Sequence, residues 1–355
     1  MTFWFGVRLC LIWCQAKKGA EIWRKKDFIY VGICAAAIWT RPLKEIGSMR
    51  KLRIKNEGEG FYHVTSRCVE RAFKFDDGDK DRIVGQMRRM ATFCGVEIST
   101  YAVMSNHFHI LLHVLPQGDL SDEDLVSRVA ALYGHGKAES LRANWAAYRS
   151  AGNESALKQL AEERAALLRR RGDLSHFMKE LKQWISRDYN KLHERKGTLW
   201  EDRFWSCLLE DSAETLASVA AYIDRNAVRA GIVERPEDYR WCGYAEAHAG
   251  RAKAQTALGR MFGYQKNVAW AEAEERYGWL IRAAPDTATL RLRERNPVFT
   301  RALALGSRDF ILKTFARFPR VFARKKRPAQ PYVTDGRVDR DALCASHRPR
   351  EAVIG

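Results

Sequence analysis

The sequence lacks the cysteine spacing and the long apolar runs that mark several classes of protein. Its eight cysteines are scattered and form no CxxC pair, so the spacing indicates neither a zinc ribbon nor a disulfide framework, and we expect reduced thiols in a cytoplasmic protein. The two most apolar runs, FWFGVRLCLIWC and FIYVGICAAAIW, have 12 residues each, fewer than the 18 or more of a membrane span. We therefore expect a globular protein without a membrane partner.

Positive charge is what the sequence has in excess. The 355 residues include 61 Lys or Arg and 43 Asp or Glu, which gives a net charge of +18 and a pI near 9.7. From Thr287 to Gly355 there are 16 basic and 6 acidic residues, so more than half of the surplus lies near the end of the chain. This favours a polyanionic partner, nucleic acid first of all, although a surplus also arises from solvated faces. Within the basic run RKKR, we predict that Lys325 and Lys326 contact phosphates.

Changes in composition divide the chain into three parts. Residues 1–48 differ from the rest, and Met49 begins a basic segment that leads directly into a strand pattern, so the first 48 residues are interpreted as an over-long start or an accessory extension. Residues 49–250 form the predicted main domain, with a charged helical insertion at about 135–175. Residues 251–355 are predicted to be a basic helical extension, in which NPVFTRALALGSRDFILKTFARF indicates a helix, a Gly-Ser break and a second helix that form a small DNA-binding unit.

The main domain has the pattern of an α+β fold. FYHVTSR (residues 61–67) indicates a strand, residues 79–94 indicate an amphipathic helix, and VEISTYAVM and HFHILLHVL are two strands separated by a hairpin-length turn. A strand, a helix and a strand pair make half of a ferredoxin-like unit. After a helical excursion, RFWSCLLE (residues 203–210) supplies a further strand. We predict a ferredoxin-like or RRM-like antiparallel sheet of four to five strands with packed helices.

Two histidines stand out in the second strand of the hairpin. Alternate residues of a strand face the same side, so His107 and His109 project together while Phe108 points into the opposite layer. Two neighbouring imidazoles can hold a divalent cation that polarises a phosphoryl oxygen. On these residues alone, two half-exposed histidines hydrogen-bonded to backbone or water are the commoner explanation. His113, further along the same face, is interpreted as a neighbour rather than a ligand.

Several blocks together resemble one protein family. YAVMSNHFHILLHV, preceded by FYHVTSR and followed by GTLWEDRFWSCLLE and YIDRNAVRAGIV, is similar to the HUH-type single-tyrosine transposases of insertion sequences, and most closely to the REP-associated tyrosine transposases. The blocks occur in order between Gly60 and Tyr244. The resemblance implies an RRM-like sheet, the HUH endonuclease core, with the metal ligands His107 and His109 on its central strand and a nucleophilic tyrosine on a helix beyond the last strand.

The block YIDRNAVRAGIV makes Tyr222 the implied nucleophile, and Asn226 stands where the family has a polar residue that completes the metal shell. Residues 212–231 are predicted to form a helix with Ser212 as N-cap and Gly231 at its end. Tyr222 and Asn226 are then i and i+4 and share a face. The apolar stripe of this helix leaves Tyr222 at an accessible flank; the stripe consists of Leu216, Val219, Ala220 and Ile223.

The implied activity is that of a single-stranded DNA endonuclease and strand transferase. Such an enzyme depends on Mg²⁺ or Mn²⁺, uses no nucleotide cofactor, and acts on hairpin DNA of palindromic repeats through a 5′-phosphotyrosine intermediate. Family members are monomers or homodimers. Single-stranded DNA would lie against a sheet face with basic flanks and aromatic platforms, to which Arg67, Arg203, Trp200 and Trp205 are expected to contribute.

Two departures from the family and two alternatives accompany this interpretation. NAV stands where the family has NPV, and SRCVER stands where relatives commonly carry SRGN. One alternative is a catalytically inactive nucleic-acid-binding protein that keeps the RRM-like sheet. The weaker alternative is a metal-dependent hydrolase of the amidohydrolase kind, which also uses HxH but requires recurring βα units that the sequence does not show.

Overall fold

The computed structural model describes residues 53–56, 58–116, 118–262, 269–282, 299, 302–318, 330–331 and 344–347. The predicted N-terminal extension (residues 1–48) and the predicted phosphate contacts Lys325 and Lys326 lie outside the described residues. The predicted main domain lies almost entirely within them.

A mixed sheet forms the centre of the structure. Its strands follow the order β2-β3-β1-β4-β5-β7-β6, and all neighbours are antiparallel except β4 and β5, which are parallel. The strands β6 and β7 are short and lie at the edge beyond β5. The bounds are β1 Gly60–Arg67, β2 Val96–Val103, β3 His107–Val114, β4 Trp205–Leu209, β5 Ala302–Gly306, β6 Gln330–Pro331 and β7 Cys344–His347.

Eleven α-helices are present among the described residues. Their bounds are α1 Asp77–Cys94, α2 Asp122–Tyr133, α3 His135–Ala151, α4 Glu154–Leu168, α5 Leu174–Leu192, α6 Ala213–Asp224, α7 Asn226–Arg229, α8 Gly243–His248, α9 Ala252–Phe262, α10 Trp270–Arg282 and α11 Arg308–Arg317. The predicted charged insertion corresponds to α3 and α4. Within the described residues, no helix is both long enough and apolar enough to cross a membrane.

Local sequence signals explain where the helices start and stop. Asp76 caps α1 by accepting from the Asp79 backbone N–H, and the Asp79 side chain accepts from the Asp76 N–H in return, which satisfies two N–H groups that the helix leaves unpaired. Gly95 ends α1 in a left-handed conformation that a residue without Cβ adopts most easily. Ser212 caps α6 by accepting from the Thr215 N–H, as predicted from the sequence.

The two faces of the sheet are covered by different helices. One face carries Phe108, Ile110 and Leu112 of β3, and α1 packs over it with α5 behind. The other face carries the histidines of β3 and is covered by α6 and α9, which contact β2, while α6 also reaches β3. Since alternate side chains of a strand point to opposite faces, the predicted division between His109 and Phe108 is confirmed.

The predicted α+β class and its sheet with packed helices are confirmed, but one predicted helix is a strand. Residues Ala302–Gly306 form β5 and pair with β4, whereas the sequence analysis expected a helix here. All five residues are buried, and a short apolar run fits a buried strand as well as a helix. Pairing with the edge of β4 makes these residues a strand rather than a helix. The second predicted helix is confirmed as α11, which Ser307 caps.

The described cysteines lie in the interior of the fold. Cys68, Cys94, Cys207 and Cys242 are all buried and none of them forms a disulfide. Burial raises the pKa of the Cys68 and Cys94 thiols to about 12, which keeps them protonated and unreactive at neutral pH.

Gly306 tests the position of β5. A Cβ at this residue would lie 2.5 Å from Glu210 Cβ and 2.7 Å from Phe310 Cδ1, closer than packed atoms come. We expect Gly306→Ala to lower the free energy of unfolding by about 2 kcal/mol, because overpacking forces these neighbours to shift. Chemical denaturation would measure the loss. Gly136→Ala, where a Cβ meets nothing within 4 Å, should be neutral or slightly stabilising; equal effects of the two changes would contradict the placement of β5.

Candidate active site

Three of the four histidines on the covered face of the sheet form a cluster near α6. The register of β1 against β3 pairs Arg67 with His107 and Thr65 with His109, which places His63 diagonally beside His109 on the same face. The ring centroids of His63 and His109, and those of His107 and His109, are both 5.1 Å apart. Sequence analysis predicted the pair on β3, and the sheet adds a third imidazole from β1.

A chain of hydrogen bonds orients His109. Its Nδ1 lies 2.9 Å from His63 Nε2 in a buried contact, and His63 also hydrogen-bonds to the backbone of Phe299. The Phe299 bond raises the His63 pKa, as expected when a carbonyl oxygen accepts the proton of the ring. Since His63 donates to Phe299, its Nε2 accepts from His109 Nδ1, and the lone pair of His109 is left on Nε2.

A second chain orients His107 in the same way. His107 Nδ1 lies 2.6 Å from the Asn106 Oδ1, and the Asn106 amide is fixed because its Nδ2 donates to the Arg71 carbonyl at 2.8 Å. The Asn106 oxygen therefore accepts from His107 Nδ1–H, which leaves the lone pair of His107 on Nε2. Hydrogen bonds that hold one ring nitrogen protonated are the usual support of a metal-binding histidine.

Burial keeps the inner histidines neutral. Desolvation lowers the pKa of His63 to about 3 and that of His109 well below its usual value. The positive charges of Arg229 and Arg67 lower the His109 pKa further. Neutral imidazole is the form that binds a metal ion, and the two guanidinium groups give the site a positive potential that suits a phosphate.

The structure brings Tyr222 to this histidine cluster. Its ring centroid lies 5.8 Å from that of His109 and 6.0 Å from that of His63, edge to face in both cases. The predicted accessible flank is wrong, since Tyr222 is 2% exposed. Phe299 stacks on the Tyr222 ring, with the two ring centroids 4.7 Å apart. The Arg229 guanidinium lies 3.9 Å from the centroid of the Tyr222 ring. The segment that contains Phe299 follows α6 by many residues, so helix periodicity could not reveal this cover.

The predicted helix 212–231 is interrupted between Tyr222 and Asn226. The helix α6 ends at Asp224, α7 begins at Asn226, and Arg225 lies between them. Asn226 is buried, and its Nδ2 has no hydrogen-bond partner among the described residues. A buried amide N–H without a partner costs free energy, so the Asn226 side chain keeps an unused hydrogen-bond donor.

The residues predicted as metal ligands fit a divalent cation by their chemistry. The hydrogen bonds at Nδ1 make Nε2 the unprotonated ring nitrogen of His107 and of His109, and Asn226 is a buried amide at the start of α7. Neutral imidazole is a ligand of divalent transition-metal ions, and an amide oxygen is a ligand of the kind that Mg²⁺ and Mn²⁺ prefer.

A second group of side chains resembles a metal site but is already satisfied by protein. Asp76, Asp79 and His193 place three ligand atoms within 4.8 Å of one another. Both Asp79 oxygens accept from His193 Nε2 at 3.0 Å, and Asp79 also accepts from Arg82 at 2.5 Å and from the Asp76 backbone. These bonds cap α1 and attach it to α5, so the cluster is explained by helix capping and ion pairing.

The predicted DNA-contacting residues are found in different places. Arg67 lies at the end of β1 opposite His107, beside the histidine cluster. Trp205 is 8% exposed and contacts His63 edge to face at 5.2 Å, so it packs in the site rather than presenting a stacking surface. Arg203 is exposed and lines a groove with Trp200 away from the histidines. His113 is held by Glu59 at 2.7 Å and stacks on Phe61, as expected of a neighbour.

Three residues of the site were missed by sequence analysis. His63 could have been found from the sequence. In FYHVTSR it lies two residues from both Phe61 and Thr65, so the three side chains share one face of β1. Arg229 and Phe299 carried no such signal. Arg229 reaches back from α7 to donate to the Tyr222 carbonyl at 3.2 Å, and Phe299 arrives from a distant part of the chain.

The fold and the site combine two features. A central strand of the sheet carries a pair of histidines, and a tyrosine faces them from the helix that follows the fourth strand. Residues 59–133 match the family described as "Transposase IS200 like", and the resemblance predicted from the sequence is confirmed for this part of the chain. The match supports a transposase role. It includes His63, His107 and His109, and it ends before Tyr222.

Other comparisons are less informative. A solved structure titled "Structure of the REP associates tyrosine transposase bound to a REP hairpin" is similar at 15% sequence identity with a TM-score of 0.37, and the alignment covers 57% of this chain and 86% of that chain. At this TM-score the likeness carries no residue correspondence. No curated protein matches the chain.

Asp224, the last residue of α6, connects the helix that carries Tyr222 to β2, α8 and α10. Its carboxylate accepts from Thr100 Oγ1 at 2.6 Å, from the Tyr277 hydroxyl at 2.5 Å and from the Tyr244 backbone N–H at 3.3 Å. Burial nevertheless raises its pKa to about 7, against the effect of these hydrogen bonds. The folded protein therefore takes up a proton at Asp224 at a pH where the unfolded chain has already lost it.

This pKa predicts a pH dependence of stability. Because the folded pKa is raised, the contribution of Asp224 is present below the unfolded pKa near 4 and is lost as the pH rises towards 7. Asp224→Asn removes this loss, so we expect the variant to gain about 2 kcal/mol relative to wild type between about pH 5 and pH 7. Urea denaturation of both proteins at the two pH values would measure the change. A stability difference independent of pH would show that Asp224 is ionised throughout.

Proposed function

We propose that this protein is a divalent-metal-dependent single-stranded DNA endonuclease and strand transferase in which Tyr222 is the nucleophile. The observation that carries the proposal is the convergence of His109, His63 and Tyr222 in one buried cluster, with ring centroids 5.8 and 6.0 Å apart. The family match supports it through the segment that supplies the histidines. Hairpin DNA of palindromic repeats is the proposed substrate.

The proposed reaction exchanges one phosphodiester for another. The Tyr222 oxygen attacks the scissile phosphorus and the bond from phosphorus to the 3′ oxygen breaks, so the 5′ phosphate becomes attached to Tyr222 and the 3′ oxygen leaves with a proton as a hydroxyl. The same exchange in reverse, with a 3′ hydroxyl of another strand, rejoins the DNA. No bond energy is lost in either step, and no nucleotide cofactor is needed.

The residues around the phosphate would have separate tasks. His107 and His109, with Asn226, would hold Mg²⁺ or Mn²⁺, and a bound cation would withdraw charge from a non-bridging oxygen of the phosphate. Arg67 and Arg229 supply fixed positive charge near the developing anion. Arg229 also fixes the tyrosine, since it contacts both the ring and the carbonyl of Tyr222. Phe299 stacks on the Tyr222 ring, and we expect it to move when DNA binds at Tyr222.

The first test is covalent trapping. Incubation with labelled hairpin DNA and Mn²⁺ should give a protein–DNA adduct that survives denaturing electrophoresis, and Tyr222→Phe should abolish it, because the variant keeps the ring but has no nucleophilic oxygen. Phe at this position still packs on Phe299 and Arg229. Tyr244→Phe is the matched control, since Tyr244 is equally buried and its hydroxyl has no hydrogen-bond partner among the described residues. An adduct that forms with Phe at position 222 would exclude Tyr222 as the nucleophile.

The second test concerns His63, which we propose as a positioning residue for His109. His63→Ala removes the acceptor that keeps the His109 Nδ1 protonated, so we expect Mn²⁺ affinity to fall by 10- to 100-fold, as found when outer partners of metal-bound histidines are removed. Calorimetric titration of the apoprotein with Mn²⁺ measures this without DNA. His113→Ala removes a histidine of the same face that is bound to Glu59 and should leave Mn²⁺ affinity within a few-fold. Equal affinities of the His63 variant and wild type would refute the positioning role.

A second function is favoured by one observation. Tyr222 is 2% exposed beneath Phe299, as expected of a nucleic-acid-binding protein that keeps the sheet but no longer cleaves. Phe299→Ala separates the two functions. An enzyme should give more adduct when the cover is smaller, whereas a binding protein should give none with either side chain.

A further inference from the structure

A groove on the other side of the molecule has not been assigned a role. It lies between α5 and the segment that leads into β4, and its volume is about 740 Å³, within the range of ligand-binding pockets. Five cationic side chains line it, and none of the described lining residues is acidic. We call this the basic groove, and its cationic side chains are Arg53, Lys179, Lys182, Arg187 and Arg203.

The positive charges of the basic groove are crowded. Lys179, Lys182 and Ser186 are three and four residues apart, so they lie on one face of α5, and Arg203 approaches from the opposite wall. Burial, followed by the charges of Arg53 and Arg203, lowers the pKa of Lys182 to about 8, although Asp202 acts in the other direction. Lys182 Nζ donates to the Asp202 carbonyl at 2.7 Å. An anion in the groove would offset this repulsion.

Aromatic rings form part of the same walls. Trp200 lines the groove with its ring fixed, because the indole N–H donates to the Lys182 carbonyl at 3.1 Å, and the Lys182 ammonium lies 5.1 Å from the ring centroid. The Arg53 guanidinium lies 3.7 Å above the centre of the Phe204 ring. Flat cationic and aromatic surfaces beside phosphate-binding side chains are typical of sites for single-stranded nucleic acid.

The basic groove is connected to the end of the sheet that carries the histidines. The Glu201 N–H donates to the Arg67 carbonyl at 3.0 Å, and Trp200 bridges to Cys68, while Arg67 itself is paired with His107. Trp200 contacts Phe108 edge to face at 5.7 Å, which places the groove on the opposite face of the sheet from His109. A strand passing around the end of β1 at Arg67 would reach both places.

We propose that the basic groove is a second DNA subsite, which binds the phosphates and a base of the single-stranded segment that lies outside the part held at Tyr222. This inference rests on the proposed function for the identity of the ligand. It goes beyond that function by assigning DNA binding to α5 and by placing Trp200 and Arg203, with α5, in a separate groove on the other face of the sheet from His109.

The test measures binding without cleavage. Full-length protein carrying Tyr222→Phe is titrated into an unstructured, fluorescein-labelled DNA oligonucleotide, and anisotropy is followed over a range of salt concentrations. Lys179→Ala with Arg203→Ala removes two exposed groove cations. Since a phosphate contact on a single strand contributes about 0.7 to the slope of log affinity against log salt, we expect that slope to fall by about 1.4 and affinity to fall about 25-fold near 0.1 M salt.

The matched control removes the same charge elsewhere. Lys137→Ala with Lys158→Ala takes two exposed lysines from α3 and α4, and neither forms an ion pair with a described residue. This pair should change affinity and salt slope much less than the groove pair. Equal losses for both pairs would overturn the subsite, because binding would then follow net charge alone. Displacement of the labelled DNA by poly-glutamate as readily as by unlabelled DNA would also overturn it, in favour of an acidic peptide ligand.

The result is separable from the outcome of covalent trapping. A groove-dependent loss of DNA binding supports the subsite even if wild-type protein forms no adduct, in which case only the cleavage proposal fails. If wild-type protein forms the adduct but the groove pair and the control pair bind DNA equally, the subsite is refuted and the cleavage proposal stands.

Discussion

The pairing of β1 with β3 is the constraint on which the site depends. Its register sets Arg67 against His107 and Thr65 against His109, and it brings His63 Nε2 to 2.9 Å from His109 Nδ1. A shift of one residue would turn every side chain of β1 to the other face. His63 would then enter the layer beneath α1, and His109 would lose the acceptor that fixes its protonation. The chemistry of the β3 histidines is therefore set by a neighbouring strand.

Burial determines which charges the site contains. The desolvated imidazoles of His63 and His109 stay neutral between the sheet and α6. The Asp224 carboxyl group at the end of α6 keeps its proton up to about pH 7. The charges that remain near the cluster are guanidinium groups, which cannot lose their protons at neutral pH. The interior thus presents neutral metal ligands and fixed positive charge together, and this combination suits a phosphodiester whose negative charge increases during the reaction.

Both faces of the sheet contribute cationic groups near the end of β1. On one face, Arg67 and Arg229 lie around the histidines; on the other, the basic groove lies between α5 and the segment that enters β4. The hydrogen bond from Glu201 to the Arg67 carbonyl joins the two regions through the backbone. The end of β1, an interior strand of the sheet, therefore adjoins both the proposed catalytic site and the groove.

The sequence by itself determined most strands and helices of the main domain and the faces of the β3 side chains. Two-residue periodicity placed His107 and His109 together with Phe108 opposite, and the capping residue Ser212 located the start of α6, because these signals depend on neighbours within a few positions. Tertiary structure decided what the sequence left open. The edge of β4 made Ala302–Gly306 a strand, α6 was buried on nearly all sides, and Phe299 covered Tyr222. Such contacts join residues distant in the chain, and no local pattern encodes which distant surface will be available to pack against.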